Sequence, residues 1–240
     1  MSSPVVDALR TGSSVLAVCA HPDDESFGLG AVLHRLAAEG ARTSVLCFTH
    51  GEASTLGPFA SGLREIREGE LREAAGQLGV GRVEVLDLPD GALSAVPLAD
   101  LVPTVRQAVD AVGADLLLVF DEGGVTGHAD HHRATEAALA ASEGLPVLAW
   151  GLPASVSEAL NAEFDTGFVG RDEREFDVVL SVDRVVQRRA IDCHRSQSTD
   201  NPVLWRRLEL LGDAESLRWL RPRRSQVRAA VAVATGMKEA

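Results

Sequence analysis

Ala20-His21-Pro22-Asp23-Asp24-Glu25 crowds four ionisable side chains into five positions. Such crowding is costly unless positive charge sits among them, and a divalent cation supplies it. Imidazole and carboxylate together suit Zn²⁺ or Fe²⁺. The same residues also read as a solvated acidic loop in which Asp23 or Asp24 caps the next helix. A second segment, Gly127-His128-Ala129-Asp130-His131-His132, holds three of the seven histidines. A helix starting near His128 puts His128, His131 and His132 on one face. Capping explains this cluster poorly, because an imidazolium opposes the dipole at a helix start.

The elements that must carry these segments alternate. Short Val/Leu-rich runs at Ser14–Ala20, Thr43–Phe48, Val83–Leu88, Leu116–Phe120 and Val147–Trp150 lack strict polar alternation, as strands buried on both faces do. Between them, 30–38, 63–78, 98–112 and 128–142 repeat apolar residues at helical spacing, with Gly79, Gly113 and Gly144 as expected C-caps. The alternation predicts an α/β fold, a Rossmann-like three-layer αβα sandwich with a mostly parallel sheet. In a sheet of order 3-2-1-4-5, strands one and four are neighbours. Their carboxyl ends flank the switch point where such sheets bind ligands, so the two histidine segments should meet there. After Gly151 the pattern changes to a helix near 155–164, a strand over 176–182 and a helix capped by Asp183 and ending near His194. Two short amphipathic helices follow at 204–211 and 215–220, then an apolar stretch from Arg223 that reads as a helix or a tail. This is a small C-terminal mixed α/β extension. The expected organisation is one domain over 1–240, with a core at 1–151 and an extension at 152–240 that packs on it.

Composition narrows the function classes. The chain has 240 residues and a net charge of −12, from 23 basic and 35 acidic residues. That balance disfavours nucleic acid as a partner. The acidic excess lies in the body: residues 1–182 carry 11 basic and 28 acidic residues, and 183–240 carry 12 and 7. No apolar run is long enough to span a membrane, and no signal-peptide pattern stands at the start, so a cytoplasmic chain without membrane partners is expected. Cys19, Cys47 and Cys193 are too far apart to form a CxxC motif and read as buried thiols. There is no Tyr, and the single Lys is Lys238. Gly28-Leu29-Gly30 hints at a dinucleotide loop, but position 33 is Leu and the adjacent acids repel a pyrophosphate.

The HPDDE segment, followed about 105 residues later by GHxDH, resembles the LmbE-like or PIG-L family of zinc-dependent N-acetylglucosaminyl deacetylases. The resemblance runs from about Ser14 to Gln197. It includes Thr49-His50-Gly51-Glu52, Arg67-Glu68-Gly69-Glu70-Leu71 leading to Leu78-Gly79-Val80, Pro89-Asp90-Gly91 and His194-Arg195-Ser196-Gln197. It implies that His21, Asp24 and His131 bind the metal, Zn²⁺ with Fe²⁺ as the alternative. It implies Asp23 as general base and His128 as the residue that polarises or protonates. A carboxylate at Asp130 would hold His128 in one tautomer and favour its cationic form, as carboxylates do for catalytic histidines. It also implies Glu52, Arg67 and Asp90 as substrate-binding residues. The expected reaction is hydrolysis of the N-acetyl amide of a soluble N-acetylglucosamine-type small molecule, giving acetate and a free amine. The alternative substrate is another N-acyl compound, such as a natural-product glycoside or a thiol conjugate. Homo-oligomerisation is left open. His132, His34 and His50 are expected to be bystanders, the last two at the surface or on a helix. His194 lines the pocket or packs beside it. Thr126 stands where some relatives carry Tyr, which leaves the oxyanion to the metal and His128.

Overall fold

A computed structural model describes residues 12–56 and 61–222; the apolar stretch from Arg223 lies outside the described residues. Five strands form the parallel body: β1 (Ser14–Cys19), β2 (Arg42–Cys47), β3 (Arg82–Val85), β4 (Leu116–Phe120) and β5 (Val147–Pro153). Two more, β7 (Val178–Ser181) and β8 (Ala214–Arg221), complete the order β3-β2-β1-β4-β5-β8-β7, and β6 (Gly170–Arg171) pairs with the end of β5. β1 lies between β2 and β4, as the 3-2-1-4-5 order requires, while β8 runs antiparallel to both β5 and β7.

Both faces of the body are buried, which is why its strands do not alternate in polarity. Val15, Ala17 and Cys19 face one core layer with Leu33, Leu71 and Leu78; Leu16, Val18 and Ala20 face the other with Leu101, Val105 and Ala138. Helices α1 (Gly30–Ala38) and α2 (Leu63–Leu78) cover the first face, and α3 (Leu98–Val112) and α4 (Ala129–Ala141) cover the second. Gly79 and Gly113 close α2 and α3 in the left-handed conformation. The chain then adds α5 (Ala154–Phe164), α6 (Val185–Cys193) and α7 (Pro202–Leu211). Arg184, not the expected Asp183, stands at the N-cap of α6; Asp183, one position earlier, accepts the Val185 N–H at 2.8 Å.

One expectation is overturned. Residues 215–220 form the middle of strand β8, not a helix. Glu215, Leu217 and Trp219 alternate with Ser216, Arg218 and Leu220 along the strand. The charge at 215 is buried and bonded, and it breaks the apolar signal that marks a strand. β8 thereby extends the parent sheet. The dinucleotide hint at Gly28 has a packing explanation: a Cβ there would stand 2.5 Å from the Phe120 ring.

Candidate active site

The carboxyl ends of β1 and β4 do meet, and they build one cavity of about 380 Å³. The turn after β1 is held by its own acids. Asp24 Oδ2 accepts the N–H groups of Ala20 and His21 at 2.9 and 3.0 Å, which aims Oδ1 at the cavity. Asp23 sits at φ 121°, a costly conformation for a residue with a Cβ. Its backbone N–H is held by Glu25 Oε2 at 2.9 Å. Glu25 is in turn fully buried against His194 Nε2 at 2.7 Å and the Ser26 hydroxyl. The strain is thus met by a buried ion pair from the far end of the chain.

Two tautomers are fixed by their outer partners. His131 donates Nδ1–H to Gly124 O at 3.0 Å, with Thr126 Oγ1 2.9 Å away. Its Nε2 lone pair therefore faces inward. His21 offers Nε2–H to Asp90 Oδ1 at 3.2 Å and Asp130 Oδ2 at 3.4 Å, and its Nδ1 faces inward. The inward atoms converge: His21 Nδ1 lies 3.1 Å from His131 Nε2, which lies 3.1 Å from Asp24 Oδ1. Three electron-rich atoms this close repel one another unless a cation lies between them. Tetrahedral coordination with bonds of about 2.0–2.1 Å sets ligand atoms about 3.3 Å apart, close to what is seen. His21, Asp24 and His131 thus fit a small divalent cation, and carboxylates orient the His21 imidazole as metal-binding histidines require.

The electrostatics agree. Burial lowers the His21 pKa, but Asp130, Asp90, Asp24 and Asp23 overcome it and push the value up to about 10. The cluster calls for positive charge at this point. Burial also opposes an ionised Asp24, yet His131 and His21 hold it well below the usual carboxylate range. Asp23 differs. Burial and Asp24 raise it to about 6, while Arg67 pulls the other way. Two adjacent carboxyls are thus driven apart: one stays an anion, the other exchanges protons near neutrality.

Several expected roles change. The Asp130 carboxylate does not bond His128. Its carboxylate accepts the N–H groups of Gly91 and Leu93 at 2.9 and 3.0 Å and faces His21. His128 caps α4 instead, its Nδ1 accepting the Asp130 N–H at 3.2 Å. That bond leaves Nε2 as the protonated nitrogen of a neutral ring. Burial, His21 and His131 all lower its pKa, which works against the expected cationic His128. Arg67 lines the cavity, but its guanidinium is engaged by Gly51 O at 2.6 Å, Pro22 O at 2.5 Å and Asp23 Oδ2 at 2.9 Å. Gly51, at φ 67°, admits it: a Cβ there would lie 2.2 Å from Nη1. Asp90 lines the cavity and accepts the Ala53 N–H at 2.7 Å. Glu52 is exposed and outside the cavity lining, and its Oε1 accepts the Asp90 N–H at 3.4 Å.

The histidines outside the trio are now placed. His132 is exposed, with Glu136 3.5 Å away. His50 is not a surface residue: it is buried beside Arg64, Glu68 and Asp87. His194 is fully buried behind Asp23 and does not line the cavity. The sequence reading gave no role to Glu25, although HPDDE contains it. It missed Phe27, Phe120 and Arg207 in the cavity wall altogether, and no spacing rule connects residues 27 and 207.

Comparison with known proteins bears on the family and the fold. Residues 16–142 match the family model described as PIG-L, GlcNAc-PI de-N-acetylase. A bovine N-acetylglucosaminyl-phosphatidylinositol de-N-acetylase is 32% identical over 216 residues, covering 83% of this chain and 79% of that protein. A 1D-myo-inositol 2-acetamido-2-deoxy-alpha-D-glucopyranoside deacetylase from Kineococcus radiotolerans is 31% identical over 158 residues, 53% of this chain and 44% of that protein. The chain thus spans less than half of that bacterial relative. Two solved structures share the fold, each with a TM-score of 0.65 and 20% identity. One is a teicoplanin deacetylase in its zinc-inhibited form, matched over 86% of this chain and 97% of its own. The other is a 4-carboxy-2-hydroxymuconate hydratase from Pseudomonas putida, matched over 88% and 97%. The fold therefore hosts more than one reaction, and the assignment rests on sequence and site together. The matched segment ends just after helix α4 and holds His21, Asp23, Asp24, His128 and His131, and on that ground the chain belongs to the PIG-L family.

Proposed function

We propose that the chain is a zinc-dependent amide hydrolase that removes acetyl from a soluble N-acetylglucosamine-type substrate, with Fe²⁺ as the alternative metal. The observation that carries this reading is the convergence of His21 Nδ1, Asp24 Oδ1 and His131 Nε2 beside a carboxyl, Asp23, that is not used as a ligand. A divalent cation held by His21, Asp24 and His131 would supply Lewis acidity, polarising the amide carbonyl and acidifying a water. Asp23 accepts that water's proton as the oxygen attacks the carbonyl carbon. Arg67 holds Asp23 Oδ2, so the carboxylate meets the water in one orientation. His128 Nε2–H donates to the carbonyl oxygen as negative charge develops there. Asp23 then returns the proton to the leaving nitrogen, the C–N bond breaks, and acetate and the free amine result. Thr126, in place of a Tyr, bonds the His131 ring and leaves oxyanion stabilisation to the cation and His128.

On the polar side of the cavity Ser54 and Asp90 face the space left for sugar hydroxyls. No helix among the described residues is long and apolar enough to cross a membrane. The test is acetate release from a panel of N-acetylglucosaminides by metal-loaded protein, run beside elemental analysis. Release from at least one sugar and about one zinc or iron per chain is expected. Loss of neither metal nor turnover in Asp24→Ala would overturn the site.

A further inference from the structure

The cavity has an end that the proposed chemistry leaves unused. Beyond the metal-ligand trio its wall is aromatic: Phe120 packs edge-on against His131 at 4.9 Å and against Trp150 at 5.1 Å, and Phe27 and Gly28 line the same side. Arg207, from α7, closes this end. It is 6% exposed, lines the cavity, and lies with Cζ 5.6 Å from the centre of the Trp150 ring.

The guanidinium is nearly without partners. It has five N–H donors. Among the described residues it makes one hydrogen bond, from Nη2 to Phe27 O at 2.8 Å, and its shielded Nε has none. The acids nearby are already committed. Glu215 binds Arg184 and the Trp150 indole, both at 2.5 Å, and Asp23 binds Arg67. An arginine needs no such burial to pack on a tryptophan. Left unpaired out of water it is expensive, and its planar fork matches a carboxylate.

We propose that Arg207 makes the aromatic end of the cavity a carboxylate-binding subsite. The orientation of substrate rests on the deacylation reading: with the hydroxyl-bearing part against Ser54 and Asp90, the acyl group points at Phe27, Phe120 and Arg207. A carboxylate can reach Arg207 from two sources. One is the far end of a dicarboxylic acyl group of succinyl type; the other is the acetate released by hydrolysis. Two packed rings, Phe120 and Trp150, lie between His131 and Arg207, which favours the longer acyl group. Beside the acetyl amide, the cavity then admits an N-acyl amine whose acyl chain ends in a carboxylate.

The test compares N-succinyl and N-butyryl glucosamine, equal in chain length and different in terminal charge, with the metal-loaded full chain. A preference in kcat/KM of at least about tenfold for the succinyl compound is expected, reduced to near unity in Arg207→Gln and kept in part in Arg207→Lys. Equal turnover of the two by the wild-type protein overturns the assignment to an acyl carboxylate, whether or not the variants fold. Calorimetric titration with succinate and with acetate reads the subsite without turnover. Succinate weakened tenfold by Arg207→Gln with acetate unchanged identifies the acyl carboxylate; acetate weakened as well identifies the product. Neither weakened overturns the proposal. If no amide is hydrolysed, the deacylation reading fails while the succinate titration still decides Arg207.

Discussion

Residues 14–142 bring every atom that faces the metal position, whereas residues 143–222 bring the side chains that stand behind them. The first region is a parallel body whose two site loops leave neighbouring strands, so His21, Asp24, His128 and His131 meet by topology. The second adds α6, α7 and β8, and from there come His194 behind Glu25, and Arg207 and Glu215 behind Trp150. The difference teaches where chemistry and selectivity reside. Reactive groups sit on the switch point that any such sheet offers. His194, which pairs with the Glu25 that holds strained Asp23, and Arg207, which closes one end of the cavity, come from a region the family model does not cover. Mutations in the two regions should therefore fail in different ways.

The sharpest break is at the ligands. Asp24→Ala or His131→Ala is expected to abolish metal retention in elemental analysis and lower kcat/KM by about 10³-fold or more, since the Lewis acid goes with them. Next comes Asp23→Asn, expected to lower kcat by about 10²–10⁴-fold with metal content unchanged. Unchanged turnover in Asp23→Asn would remove Asp23 as the base.

The second region should show itself in stability first. Glu25→Gln breaks a fully buried pair with His194, and a loss of about 3 kcal/mol is expected in denaturant unfolding. Burial opposes a charged His194, but Glu25 outweighs it and raises the pKa. The proton-linked stability is therefore complete below pH 6.5 and fades as pH rises through the raised folded value. His194→Gln should flatten that part of the stability profile. A variant with the wild-type pH dependence would mean that the pair is neutral.

A subtler effect separates Arg67 from a substrate ligand. Arg67 opposes the rise in the Asp23 pKa, so Arg67→Leu should move the acidic limb of the kcat/KM profile to higher pH by about 1. A change confined to KM would restore the expected substrate role. The smallest effect is at Glu52. It is exposed and outside the cavity, so Glu52→Ala should change kcat/KM by less than about twofold.

The five parallel strands and their helices were legible because burial on both faces writes continuous Val/Leu runs, and helices write a 3.6 period. β8 was not, because its buried Glu215 belongs to a partner, Arg184, that pattern reading cannot see. The histidine segments were legible because ligand types and spacing are local. Their hydrogen-bond assignments were not: Asp130 serves His21, 109 positions away, and His128 next door is left to cap a helix. Arg67 looked like a substrate ligand on its helix, and only the approach of Gly51 and Asp23 shows where its fork is spent. The sequence by itself determined the fold class and which residues could hold a metal, because periodicity and ligand chemistry are properties of neighbours along the chain. Only the tertiary structure decided which tautomer each histidine adopts, which carboxyl stays protonatable, and which end of the cavity carries a lone guanidinium. Those depend on burial and on charges brought together across 100 residues or more, where pairing energies are set by distance in space.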